Sequence, residues 1–240
     1  MPAGDGQSFA KRNQIEAGVK VSMGNVVCMH EVVLPVLNEA EALPWVIERL
    51  PAGFSPIVVD NGSTDGSPEI ARSHGARVLQ EPRRGFGAAC YTGLVAATSD
   101  IVCFMDCDGS LDPLDLRRVV TPIAEGGADL VLGRRGAGPG WPIHARIANR
   151  AVAWELRRRF GVVLHDIGPM RSARRASLLD LDLRDRRFGW PLEMVVRACE
   201  RGWRVAEVPV THSNRAGRSK ITGTVIGSLR AARDMARVLS

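Results

Sequence analysis

Asp106 and Asp108 stand one residue apart, with Cys107 between them. The run before them, Ile101-Val102-Cys103-Phe104-Met105, is short and apolar with β-branched residues at its start, which predicts a buried strand. Gly109-Ser110 end that run, and Pro113 opens a predicted helix. Two carboxylates therefore fall at the carboxyl end of a strand, where open α/β sheets bind their ligands. Like charges so close repel each other unless a cation sits between or beside them. The chemistry suggested is a divalent metal held against a second anion. A strand-end Asp beside a helix cap would account for the same pattern, so the rest of the chain decides.

The elements around this pair alternate. Residues 31–35 predict a first strand with Asn38-Glu39 at its carboxyl end, and 40–50 a helix whose first turn tolerates Pro44. Residues 56–60 predict a second buried strand, ending in the turn-rich Asp60-Asn61-Gly62-Ser63-Thr64-Asp65-Gly66-Ser67. That loop caps a helix over 68–74. A short strand over 77–80 follows, then a helix from Gly85-Phe86-Gly87 to Ala97, the strand before Asp106, a helix over 113–125 and a strand over 129–133. Strands alternating with helices through short loops predict a parallel sheet covered on both faces. Beyond it the pattern loosens. A glycine-rich loop spans 136–140, a basic amphipathic helix 142–160, and a turn-rich segment 166–175. Then come a helix over 191–201, a strand over 205–211, a basic loop over 212–222 and a last helix over 224–239. In that last helix Val225, Leu229, Ala232, Ala236 and Leu239 recur at helical spacing beside Arg230, Arg233 and Arg237. Packing on the core is the favoured reading of that helix, and lying on anionic lipid the alternative.

Composition narrows the partners. At 240 residues the chain suits one domain, or one with a lobe, and its 45% hydrophobic content an ordinary globular core. No run of about 18 apolar residues is present to cross a bilayer. Residues 1–25 are polar and lack the apolar core of a signal peptide, so they read as a disordered leader, or as a reading frame that starts late, before a folded domain over 26–222. The five cysteines are odd in number and sit in apolar segments, which suits reduced thiols in a cytoplasm. The net charge of +6 is unevenly spread: 10 basic and 17 acidic residues through Gly133, 22 and 9 from Arg134 on. An acidic half suits a metal and a basic half suits phosphate. Nucleic acid is disfavoured, since no recognition motif is visible and only one Tyr is present for stacking. No Walker loop, dinucleotide fingerprint or nucleophile elbow stands in the chain. What remains is carboxylates at adjacent strand ends: Asp60 for a base or ribose, Asp106 and Asp108 for Mg²⁺ or Mn²⁺ against a diphosphate.

Four segments in order, Pro35-Val36-Leu37-Asn38-Glu39, Val58-Val59-Asp60-Asn61-Gly62-Ser63-Thr64-Asp65-Gly66, Gly85-Phe86-Gly87-Ala88-Ala89 and Asp106-Cys107-Asp108, resemble the motifs of family-2 glycosyltransferases. Further on, Gly133-Arg134-Arg135, Asp166-Ile167-Gly168-Pro169-Met170-Arg171, Trp190-Pro191-Leu192-Glu193-Met194 and Glu207-Val208-Pro209-Val210, leading to Arg215 and Ser219-Lys220, are similar to the dolichyl/polyprenyl-phosphate mannose synthase branch. The resemblance spans about residues 29–223. It implies an α/β GT-A fold, a mostly parallel central sheet with helices on both faces.

The resemblance also implies roles. Pro35, Leu37 and Glu39 line the base and ribose of a nucleotide diphosphate sugar, a GDP- or UDP-hexose, and Asp60 reads the base. Asp106, Cys107 and Asp108 meet ribose, diphosphate and a Mg²⁺ or Mn²⁺ ion, with Ser110 at a position often held by a Gln ligand. Arg134 faces the phosphates. Arg215 and Lys220 belong to a loop closing over donor or acceptor phosphate. Arg134, Arg171 and Lys220 are the candidate acceptor-phosphate residues. Asn61 departs from a common second Asp, and Ser110 from Gln. The expected reaction is inverting transfer of mannose or glucose to a polyprenyl or dolichyl phosphate, with the catalytic set Asp106, Asp108, Arg134 and Glu193. An ionised phosphate acceptor needs no base. A soluble hydroxyl acceptor, the alternative, does, and Glu193, then Asp166, are the candidates. A non-catalytic nucleotide-sugar binding module is a third reading. The expected setting is cytoplasmic, with peripheral contact at the inner face of a membrane.

Overall fold

The computed structural model describes residues 30–136, 143–213, 233–235 and 237–238. The expected leader over 1–25, and Arg215 and Lys220, lie outside them. The elements run β1 (His30–Val36), α1 (Leu43–Glu48), β2 (Phe54–Asp60), α2 (Ser67–Ser73), β3 (Arg77–Gln80), α3 (Phe86–Ala96) and β4 (Ile101–Phe104). A 3-10 turn (Pro113–Asp115) then leads into α4 (Leu116–Ala124), β5 (Leu130–Arg135), α5 (Ile143–Phe160), β6 (Arg171–Arg174), α6 (Arg175–Asp180), α7 (Trp190–Glu200) and β7 (Val205–Val210).

The seven strands form one sheet in the order β3-β2-β1-β4-β6-β5-β7. β1 pairs in parallel with β2 and β4, β2 with β3, and β5 with β7. β6 alone is antiparallel, to both β4 and β5, with Phe104 and Leu132 opposite Arg171. Sequence reading left 166–175 as turn-rich, because Arg-Ser-Ala-Arg carries no apolar alternation. Its partners supply the burial instead: Ser172 and Ala173 are 1% and 0% exposed between two apolar strands.

Alternate strand residues feed two cores. Val33, Ile57, Val59, Phe104 and Leu132 pack on one face with α3 and α7. Val32, Leu34, Val58, Cys103 and Val131 pack on the other with α1 and α4. Both faces are covered, which is why these strands read as continuous apolar runs. The chain works outward through β1, β2 and β3, then returns to lay β4 on the other side of β1. This reversal opens a crevice at the carboxyl ends of β1 and β4. The carboxyl ends of β5 and β7, and the start of the reversed β6, reach the same rim.

Candidate active site

A cavity of about 570 Å³ opens at that rim. Pro35, Leu37 and Glu39 follow β1 into it, and Asp106, Cys107 and Asp108 follow β4. The two carboxylates thus stand where the sequence put them. Asp108 is oriented locally: the Ser110 hydroxyl and backbone N–H both donate to its Oδ1, at 2.6 and 3.0 Å. Ser110 therefore acts on Asp108 in this structure. Cys107 is 2% exposed. Burial pushes its thiol well up, and Glu39, Asp108 and Asp106 push the same way, so it stays protonated.

The loops after β1 and β2 brace each other. Asn38 sits at φ 55°, a left-handed conformation Asn tolerates. Its N–H donates to the Ser63 hydroxyl at 2.8 Å, and its Oδ1 accepts from Thr64 N–H at 2.7 Å. The next two N–H groups go to Ser67 Oγ and Asp65 Oδ2. Burial pushes Asp65 up, but the Ser67 hydroxyl and the N–H groups of Ala40 and Ser67 offset that and hold it below the usual carboxylate range. Asp60, the expected reader of the base, ends β2. It is 2% exposed, accepts from the N–H groups of Gly62 and Ser63, and does not line the cavity. Its neighbour Asn61 does, bonded to Glu81 O, Arg83 O and Gly85 N–H.

The arginines also rearrange. Arg134, expected at the phosphates, is exposed on the other side of the β5 edge; Arg135 lines the cavity. Alternation along a strand makes the two point oppositely. Asp166, 1% exposed, grips Arg135 in a two-pronged pair at 2.8 and 2.9 Å and also accepts its backbone N–H. Asp166 is thus an orienter of Arg135, not a poised base. Arg171, an expected acceptor-phosphate residue, is 1% exposed, lines the cavity and donates to Gly168 O and Pro191 O. Burial pulls it down to about 10, while Cys90, Asp106 and Asp166 pull the other way.

Glu193, the first candidate base, is engaged by groups outside the cavity. Its carboxylate accepts from the N–H groups of Arg184 and Asp185 at 2.7–3.0 Å and from Arg197 Nε at 2.8 Å, and it does not line the cavity. It ties α7 to the loop before it. Sequence reasoning missed His212, just past β7. Its Nδ1 is buried without a hydrogen-bond partner, and it lies within electrostatic reach of Asp108, Asp166 and Arg135. No signal in the sequence marks it, since the bridge from Leu111 to His212 that brings it in is a long-range contact. Among the described residues no three His, Cys, Asp or Glu side chains are already gathered as a metal cage. Two neighbouring carboxylates with an imidazole nitrogen lacking a partner nonetheless fit a cation that takes its other ligands from phosphate or water.

The rest of the cavity lining is apolar at Phe86, Ile167, Pro169, Phe188 and Met235, and basic at Arg84 and Arg187. Arg187 pairs with Asp234 at 3.4 Å. Met235 and Val238 pack on the core, so these described residues of the last segment follow the packing reading.

The profile of Glycosyl transferase family 2 matches residues 31–181. The chain belongs to that family. An uncharacterized glycosyltransferase of Mycobacterium tuberculosis is 49% identical over 212 residues, covering 87% of this chain and 97% of that protein. Dolichyl-phosphate hexose transferase of Haloferax volcanii is 33% identical, covering 79% and 85%. Among solved structures, glucosyl-3-phosphoglycerate synthase from M. tuberculosis with Mn²⁺ and UDP-glucose superposes with a TM-score of 0.72 at 28% identity, over 88% of this chain and 77% of that one. The sheet with its single reversed strand is therefore a GT-A fold, and the chain is a family-2 glycosyltransferase.

Proposed function

We propose that this family-2 enzyme moves a hexose from a nucleotide diphosphate sugar to a polyprenyl phosphate. The observation that carries the reading is the scarcity of carboxylates in the cavity. Asp106, Asp108 and Glu39 are the only ones lining it among the described residues, and they follow β1 and β4. Asp166 and Glu193 are committed to Arg135 and to the 184–185 loop. An acceptor oxygen must therefore arrive already ionised, as a phosphate does near neutral pH. An apolar wall beside arginines suits an isoprenoid chain that ends in phosphate.

Asp106 and Asp108, with His212, would hold a Mg²⁺ or Mn²⁺ ion shared with the donor diphosphate. Such an ion, when bound, stabilises the charge that grows on the leaving nucleoside diphosphate. The chain does the rest. Pro35, Leu37 and Glu39 seat the nucleoside, and Arg135, held in place by Asp166, offers its outer N–H edge to phosphate oxygens. Phe86, Ile167 and Phe188 exclude water from the reacting carbon. Dolichyl-phosphate hexose transferase, undecaprenyl-phosphate mannosyltransferase of Micrococcus luteus and polyprenol monophosphomannose synthase of Mycolicibacterium smegmatis, 31–33% identical to this chain, support the lipid acceptor.

A soluble phosphorylated acceptor is the second reading, favoured by the likeness to glucosyl-3-phosphoglycerate synthase. Radiolabelled GDP- and UDP-hexoses, offered with Mn²⁺ and either polyprenyl phosphate or phosphoglyceric acid, separate the two. Label extracted into organic solvent only with the lipid supports the first reading; label retained in water as glycosylated phosphoglycerate overturns it.

A further inference from the structure

Helix α5 packs an apolar side on the core and yet carries large apolar residues on its outer side as well. Asn149, Ala153 and Leu156 form its inner side: Ala153 and Leu156 are buried, and Asn149 bonds His165 O and Ile167 N–H. At about 100° per residue, Ile147, Ala151 and Trp154 lie on the side opposite. Ile147 is 63% exposed, Trp154 65%, and Val163, just beyond the helix, 56%. Arg150 and Arg157 lie together along one edge of that stripe, and both are exposed. Glu155, the one acid of the helix, is occupied by Arg158 and Arg159.

We propose that α5, with Val163, is the surface by which the enzyme docks on anionic lipid. Ile147 and Trp154 enter the headgroup region, where an indole is at home, and Arg150 and Arg157 meet lipid phosphates. Two observations select this occupant. The charge beside the stripe is net positive, since Glu155 is offset by Arg158 and Arg159, so a second copy of the chain would set arginine against arginine, whereas an anionic surface complements it. The last segment is engaged elsewhere, since Asp234, Met235 and Val238 pack against the core and the 185–189 loop. Asn149 also joins α5 to the loop carrying Ile167 and Pro169, so the segment meeting lipid leads straight into the apolar wall of the cavity. The proposal takes its purpose from the lipid-phosphate reading, but its test is separate.

Flotation of the full chain with phosphatidylcholine vesicles, with and without phosphatidylglycerol, measures docking. Binding to the anionic vesicles alone, weakened about tenfold by the pair Ile147→Ser with Trp154→Ala and similarly by Arg150→Glu with Arg157→Glu, is the expected result. All four positions are exposed, and a thermal melt checks that the variants fold. Parent protein that ignores anionic vesicles, or variants that float as the parent does, overturns the proposal. So does a dimer in sedimentation that the same substitutions dissolve, which would assign the stripe to a second copy. Transfer to a short-chain, water-soluble polyprenyl phosphate reads the chemistry independently. Variants that keep this transfer while losing vesicles support docking; a parent that floats yet transfers to no polyprenyl phosphate overturns the acceptor reading and leaves docking standing.

Discussion

Asp108 carries the most at the scale of single residues. Asp108→Asn keeps its shape and its bonds from Ser110 while removing the charge that would meet a cation. Transfer at saturating Mn²⁺ should fall about a thousandfold with little change in Tm. Glu193 should behave in the opposite way. Glu193→Gln replaces a charged acceptor of three donors with an amide, which costs about 2 kcal/mol of stability. A thermal melt should show that loss, and the pH profile of transfer in the folded variant should keep its shape. A Tm like the parent's with transfer abolished would restore Glu193 as a base. The D-x-D was legible because adjacent strand-end acids are a local pattern. The surroundings of Asp60, Arg134 and Glu193 were not, because which side a strand-end or helix side chain faces depends on one residue of register and on partners far along the chain.

At the scale of elements, Gly168 shows how closely the site loops are fitted. A Cβ there would stand 1.9 Å from Gly133 O, a backbone atom of β5 that cannot swing away. Gly168→Ala should therefore cost about 3 kcal/mol and loosen the Asp166 loop that orients Arg135. The expected signature is a lowered urea midpoint together with a raised KM for the donor. Most elements were readable from periodicity: β2, β3, α3, α5 and α7 fall within a residue or two of their predicted spans. β6 was not, for it is buried by its neighbours rather than by apolar side chains of its own. The helix expected over 113–125 divides where the Asp112 carboxylate accepts Leu114 N–H and caps a 3-10 turn first.

For the molecule as a whole, exposed ion pairs set the response to acid. Arg49 holds Asp112, and Arg204 holds Asp129, below the usual carboxylate range. Arg158 and Arg159 bring Glu155 down to about 2. A carboxylate whose folded value is depressed contributes stability that is present above its unfolded value and lost as pH falls through the folded one. Tm should thus be level above about pH 5 and decline steadily below about pH 4. Raised salt should flatten the decline, since these pairs are exposed and screened. Glu155→Gln should remove part of it, measured by differential scanning calorimetry across that range. The charge division between the halves was plain in the sequence, and its acidic part does border the donor side of the cavity. Its basic part is shared among the cavity wall, α5 and surface pairs, a distribution only the fold assigns.

The reversed strand β6 has a consequence for how such a chain comes into being. Synthesis delivers β1 to β4 first, and β4 then has one edge open, its N–H and C=O groups awaiting a segment some seventy residues later. β5 emerges before the strand that joins it to the rest. The nascent half that holds both aspartates is therefore an unfinished, sticky sheet, and the ribosome must release Arg171–Arg174 before it can close.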